Sequence, residues 1–241
     1  MKTPTKNALI YQSITGIEYI MRRSKFAANY SPVIVSDNMS GKMFGIASIS
    51  TSVLENPICQ KRRAQEDSIC SKCFAANTAA RYSSLAKNLK SNLELLTGEI
   101  LPLDVLPRFI PELASIVRFE SFGDLANVTQ AINYLNIAKV NPGARFAIWT
   151  KNIGLLAKAV ETVGKPANIR IIYSSPIVNH AIDAEKTKRT FPCVDGVFTV
   201  YDKKYIAAND VEINCGGKSC ITCRNCYDSP NFYADIREEM K

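Results

Sequence analysis

Residues 116–152 read IVRFESFGDLANVTQAINYLNIAKVNPGARFAIWTKN, and the order of patterns within them sets the fold class. Ile116-Val117-Arg118-Phe119-Glu120 is a short β-branched and aromatic run, closed by the turn chemistry of Ser121-Phe122-Gly123-Asp124. Val128, Ala131, Ile132, Leu135 and Ala138 then recur at spacings of three and four, as on one face of a helix. Asn141-Pro142-Gly143 stops that helix. A second strand-like run follows, Arg145-Phe146-Ala147-Ile148-Trp149, ending in Thr150-Lys151-Asn152. Strand, helix and strand joined this tightly form a βαβ unit, whose two strands are parallel.

The same grammar continues in both directions. Downstream, Asn152 is placed to cap a helix with Leu155, Leu156, Ala159, Val160 and Val163 on one face. The runs Ile169–Tyr173 and Gly196–Asp202 follow, the first closed by Ser174-Ser175-Pro176. Upstream, Gly45–Thr51 reads as the first strand of the series, and a helix is expected from Ala75 to Leu96. Five or six such units are too few for an eight-stranded barrel. The expected fold is therefore α/β: an open, partial β/α barrel of parallel strands. An irregular lead-in (1–45, with a short strand at Ser31–Val35) precedes a barrel region (46–210). A C-terminal cysteine-rich segment (211–241) follows.

In parallel sheets of this kind the ligand site lies at the carboxyl ends of the strands. Those ends carry Glu120, Asp124, Lys151 and Asn152 as candidate catalytic groups, and Ser174, Ser175 and Asp202 as candidate cofactor-binding groups. Each also has an ordinary reading as a turn or helix cap.

The cysteines carry the chemistry. Cys215, Cys220, Cys223 and Cys226 form C-x4-C-x2-C-x2-C. Structural zinc usually draws its four ligands from two separated knuckles, whereas one tight loop of this spacing suits a [4Fe-4S] cluster. Cys59, Cys70 and Cys73 form a second group that leaves a fourth position open, for which Cys193 is the candidate. The expectation is one or two [4Fe-4S] clusters, with zinc as the alternative metal; the alternative functions are a zinc-stabilised nucleic-acid-binding protein and a non-catalytic iron–sulfur sensor or partner-binding module. Gly216-Gly217-Lys218-Ser219 is not a phosphate-binding loop, since Glu212 stands where its first glycine belongs. His180 is the sole histidine, which excludes histidine-rich zinc catalysis. The formal charge of +8 favours polyanionic partners, a nucleic acid or a charged small-molecule substrate, although metal-bound thiolates would offset part of it. No eighteen-residue apolar run or apolar leader is present, so neither a membrane partner nor export is expected, and the thiols point to a reducing cytoplasm.

Two resemblances follow from these residues. Ser48–Ser52, Asn56-Pro57-Ile58-Cys59, Cys70–Ala75, Arg118–Asp124, Ile148–Asn152, Ser174-Ser175 and Cys215–Tyr227 resemble the "gene product 88" family of bacteriophages and mobile elements. That likeness covers roughly residues 40–230 and implies a phage or mobile-element origin, hence the cytoplasm of a host cell, with no settled activity. The architecture is also similar to that of radical S-adenosylmethionine (SAM) enzymes. There, three cysteines after the first barrel strand hold a [4Fe-4S] cluster whose open iron binds SAM. This second likeness implies that role for Cys59, Cys70 and Cys73, methionine recognition near Glu120–Asp124, and an auxiliary cluster at the C-terminus. The gap of ten between Cys59 and Cys70 departs from that family's gap of three.

Overall fold

The structure is a computed structural model, and it describes residues 8–12 and 16–240. The portions of the expected lead-in at 1–7 and 13–15, and Lys241, lie outside the described residues. Seven strands build the main sheet: β4 (Ser36–Asp37), β5 (Ala47–Ile49), β6 (Ile116–Phe119), β7 (Arg145–Thr150), β8 (Ile169–Ser174), β9 (Gly196–Tyr201) and β10 (Asp235–Glu239). Their spatial order follows the chain, from β4 at one edge to β10 at the other. Strands β5 to β10 run parallel, and β4 pairs antiparallel with β5. The α/β class and the parallel strands are as the sequence predicts.

An order that never reverses has a physical consequence. Right-handed crossovers then lay successive helices on the same face of the sheet. Helices α3 (Ser83–Gly98), α4 (Val128–Lys139) and α5 (Ile153–Val163) bury Leu96, Ala131, Leu135, Leu156 and Ala159 against Val117, Phe119, Phe146, Ile148 and Ile171. Phe119 stacks on both Tyr134 and Phe146 at the centre of this core. Alternate residues of the same strands face the other way. Ile116 and Ala147 meet Tyr227, with Trp149, Cys220 and Cys226 packed alongside. The cysteine-rich C-terminus therefore covers the face that the helices leave bare.

Three local expectations change. The lead-in is not irregular throughout: β1 (Ala8–Gln12), β2 (Glu18–Arg23) and β3 (Tyr30–Ser31) form an antiparallel sheet. In β2 the two-residue alternation buries Tyr19 and Met21 in the main core. The strand expected at Ser31–Val35 does not form: only Ser31 lies in β3, residues 32–35 are irregular, and β4 starts at Ser36. The helix expected over Ala75–Leu96 is also two helices, α2 (Phe74–Arg81) and α3, broken at Tyr82 in extended conformation. They serve different cores. Small Ala75 and Ala76 of α2 pack on Val53, while Leu95 and Leu96 of α3 pack in the sheet core. Strand β10 has only Ile236 buried, and its charges suit an exposed edge.

Candidate functional site

The first cysteine group follows β5. Asn56 caps α1 (Pro57–Arg63): its Oδ1 accepts the N–H groups of Ile58 and Cys59 at 2.9 and 3.3 Å. Proline at the first helical position needs no partner there. Cys59 thus lies in the first turn of α1. Cys70 sits in a short 3₁₀ turn, Ile69–Lys72, opened by Ser68, and Cys73 immediately precedes α2. Cys59 and Cys73 pack with Phe122 around Val53, Ala75 and Ala76.

Hydrogen bonds lace this loop across the carboxyl ends of the strands. Arg62 reaches Asp124 Oδ2 after β6 at 3.3 Å, and Lys151 O and Asn152 Oδ1 after β7 at 2.9 and 2.7 Å. Asn56 Nδ2 donates to Asp124 O at 2.7 Å. Beyond β8, Ile69 N donates to Pro176 O at 2.9 Å, and Ser68 bridges to Ile177. Asp124 is the hub, 5% exposed, and accepts from Thr150 Oγ1 at 2.6 Å and Lys151 N at 3.0 Å.

Glu120 lies beside this hub. Its φ of 55° is left-handed, which costs a residue with a Cβ about 1–2 kcal/mol. The turn sends its carboxyl back into the protein. Oε1 accepts from Thr51 Oγ1, Gln130 Nε2 and Tyr134 OH at 2.8, 2.5 and 2.5 Å, and Oε2 accepts from Thr51 N at 3.2 Å. Burial pushes this carboxyl up to about 8, against the pull of those donors. Gly123, at φ +88°, closes over it: a Cβ there would stand 2.5 Å from Glu120 Oε2 and 2.7 Å from Thr51 O. Burial also raises the Cys59 thiol, and the nearby Asp124 and Glu120 carboxyls raise it further.

The second cysteine group is on the other face of the sheet. Cys220 and Cys223 begin and end the single turn α8 (Cys220–Cys223), capped by Ser219 Oγ. Cys215 pairs with Glu238 of β10, and Lys42 reaches both its sulfur, at 3.5 Å, and the Glu238 carboxylate. Beneath the loop, Arg118, Ala147 and Arg170 occupy one row across β6, β7 and β8. Arg170 holds the loop backbone at Asn225 O and, at 3.0 Å, Ser229 O, and it stacks on Phe232. The Arg118 guanidinium lies over the Trp149 ring, its central carbon 3.1 Å from the ring centroid. Its buried Nε has no hydrogen-bond partner among the described residues. Burial lowers the Arg118 guanidinium, and Tyr227, Cys226, Cys220 and Glu238, when ionised, oppose that shift. Burial raises Cys215, Cys220 and Cys226, the last to about 12, while Lys42 or Arg118 opposes each shift.

The remaining expected residues are scattered. Cys193 lies buried in the main core before β9, its carbonyl held by Lys165 Nζ at 2.9 Å, and is gathered with neither group. Asp202 caps α7 (Lys203–Asn209) and binds Asn179, which lowers its carboxyl. Ser175 Oγ donates to the carbonyls of Ile177 and His180, and Ser174 is buried. Asn152 occupies the N-cap position of α5 without a side-chain capping bond, because its side chain serves Arg62 and Leu125 O. Lys151 contributes backbone groups to the network around Asp124. Arg62 and Arg118 escaped the sequence reading. Arg62 hides in the basic run Lys61-Arg62-Arg63; Arg118 is betrayed by a charge inside a buried strand.

Among the described residues, no three Cys, His, Asp or Glu side chains converge as a ready-made ion cage. The donor chemistry nonetheless fits a metal–thiolate group, and the unpartnered Arg118 Nε and the Lys42 contact would complement its negative charge. No helix among them is long and apolar enough to cross a membrane. Comparison with curated proteins and with solved structures gives no match. The family described as Gene product 88 matches residues 23–234, a span holding both cysteine groups and every strand from β3 to β9. The chain belongs to the Gene product 88 family.

Proposed function

We propose that this protein holds iron–sulfur clusters on its two cysteine groups and that its sheet forms an open β/α barrel of radical-SAM-like organisation. One observation carries the reading: the four-cysteine loop lies over the arginine row of the sheet, with the Arg118 Nε buried and unpartnered. A buried guanidinium that leaves an N–H unpaired is costly. Four thiolates on a metal core would bring net negative charge to Arg118 and Lys42, and the loop's spacing favours a cluster over zinc.

Cys59, Cys70 and Cys73 would hold the second centre, where a cluster supplies one-electron chemistry. There the chain's own residues have distinct tasks. Arg62 braces α1 against the strand ends through Asp124, Lys151 O and Asn152. Glu120 keeps the Thr51 backbone and the α4 residues Gln130 and Tyr134 in register. Asp124 and Asn152 are positioning residues in this reading, their polar atoms being committed to that brace. Ser174 and Ser175 line the strand ends nearby, and SAM is the ligand that the radical-SAM likeness implies.

The test is metal and sulfide analysis of protein purified without oxygen. Iron with matching acid-labile sulfide and a broad visible absorption band is expected, with part of each lost in C220S/C223S and part in C70S/C73S. A colourless protein carrying stoichiometric zinc would overturn the cluster in favour of a zinc-stabilised nucleic-acid-binding protein. A cluster-loaded protein that neither binds SAM nor yields 5′-deoxyadenosine with a reductant would remove the radical-SAM part alone.

A further inference from the structure

The surface beside the first cysteine group has an unusual make-up. Residues 61–90 carry seven Lys and Arg against two acidic residues, +5 of the chain's +8. Arg62 turns inward and Lys90 lies near Glu94, but Lys61, Arg63, Lys72, Arg81 and Lys87 are exposed. Among them stand two aromatic rings, Phe74 at 68% and Tyr82 at 60% exposure. They stand at the two ends of α2, Phe74 as its first residue and Tyr82 at the break before α3. Neither is needed to fill the core, since α2 buries Ala75, Ala76 and Ala79 instead.

This surface opens into a cavity. Phe74 packs on Phe122, ring centroids 5.8 Å apart. Phe122 also borders a hollow of about 220 Å³, together with Leu85, Leu89, Met39 and polar groups that include Asn38, Ser48 and Asp37, the last paired with Lys25. The same Phe122 packs with Cys59 and Cys73. One ring therefore links the exposed aromatics, a hollow of mixed polar and apolar lining, and the first cysteine group.

We infer that α2 and the start of α3 form a docking surface for single-stranded nucleic acid, with one base entering the hollow behind Phe122. Cations alone would serve any polyanion. Exposed aromatics spaced between them select unpaired bases, because every base offers a stacking face. A duplex buries those faces and could use the cations only. The inference deepens the proposed function by naming a substrate class for the first cysteine group, and the docking itself requires no metal.

The experiment measures fluorescence anisotropy of a labelled oligothymidine strand with the full chain, purified without oxygen, across a salt series. Wild type should bind the strand more tightly than the same sequence in duplex. F74A/Y82A, whose native side chains are exposed, should keep the far-ultraviolet circular dichroism of wild type and weaken strand binding by about tenfold or more. Duplex binding should stay unchanged in that variant. K72E/R81E should reduce the slope of log affinity against log salt by about 1.4, two phosphate contacts on a single strand. An RNA strand of the same length should compete, and polyglutamate should not. No wild-type binding, equal competition by polyglutamate, or full strand affinity in F74A/Y82A would each overturn the inference. Metal content of the same samples separates the two ideas. Strand binding that needs Phe74 and Tyr82 in metal-free protein would sink the cluster alone. Metal-loaded protein indifferent to those substitutions would sink the docking surface alone.

Discussion

The two cysteine groups stand in opposite electrostatic settings. Around Cys59 the neighbouring acidic groups are Asp124, paired with Arg62, and Glu120, which burial keeps protonated below about pH 8. Around Cys215, Cys220 and Cys226 the opposing charges are cations, Lys42 and Arg118. Ligand charge runs the same way, three thiols in the acidic setting and four in the basic one. The difference teaches what each group asks of a bound centre. A four-thiolate centre would be compensated by its protein surroundings, whereas a three-thiolate centre beside carboxyls would need compensation from the metal core and whatever fills its open position.

Breaking the brace of the first group should have the largest effect. Arg62→Ala leaves Asp124 buried without its cation, and losing one partner of a buried pair costs about 3–5 kcal/mol. Urea unfolding should read that loss, and metal should fall at the first group only. Arg62→Lys should recover part of the stability, since a lysine cannot span Asp124, Lys151 O and Asn152 together. Equal metal loss at both groups would show that the regions are not independent.

An intermediate effect with a change of sign is expected at Arg118→Met. In metal-free protein the substitution removes a buried guanidinium with an unpartnered Nε, so stability should hold or rise by about 1–3 kcal/mol. In metal-loaded protein it removes the compensating charge, so stability and metal retention should fall. Thermal melts of both forms check this, and the fluorescence of Trp149, the sole tryptophan, should change in the variant because Arg118 lies on its ring. A loss of stability of the same size in both forms would remove the charge argument.

The most gradual effect, at its smallest within any one pH unit, is the pH response of the first region. The folded Glu120 carboxyl titrates near 8, above its ordinary value. The folded state then holds the proton more tightly, so this group's contribution is fully present below the ordinary carboxyl range. It is lost as pH rises toward 8, with a slope of at most about 1.4 kcal/mol per pH unit. Glu120→Gln should flatten that part of the stability profile while far-ultraviolet circular dichroism stays unchanged. A wild-type profile that rises over the same range would place the carboxyl on the ionised side.

Much of the fold could be read along the chain, because periodicity is local. Ile116–Phe119, Arg145–Thr150, Ile169–Ser174 and Gly196–Tyr201 agree with the expected runs to within a residue or so. The helix over Val128–Lys139 announced itself by its stripe and its breaker. Strand β10 did not: Asp235-Ile236-Arg237-Glu238-Glu239 shows almost no apolar pattern, since an edge strand needs only one buried side chain and a partner's backbone. The break at Tyr82 was equally hidden, because Leu85 and Leu89 continue a plausible stripe across it. The separation of Cys193 from the other cysteines also has no local signal.

The amino-acid sequence by itself determined the parallel α/β class, the grouping of seven cysteines near positions 65 and 220, and the family. These are properties of residue type and short spacing, and neither needs a neighbour across the fold. Only the tertiary structure decided that Arg62 is a brace rather than a surface charge, that Arg118 and Arg170 share a row beneath the second group, and that Glu120 is wrapped by Thr51, Gln130 and Tyr134. Those facts depend on which strands lie side by side and on which face each residue emerges. Pairing register sets both, through contacts between residues far apart in the chain.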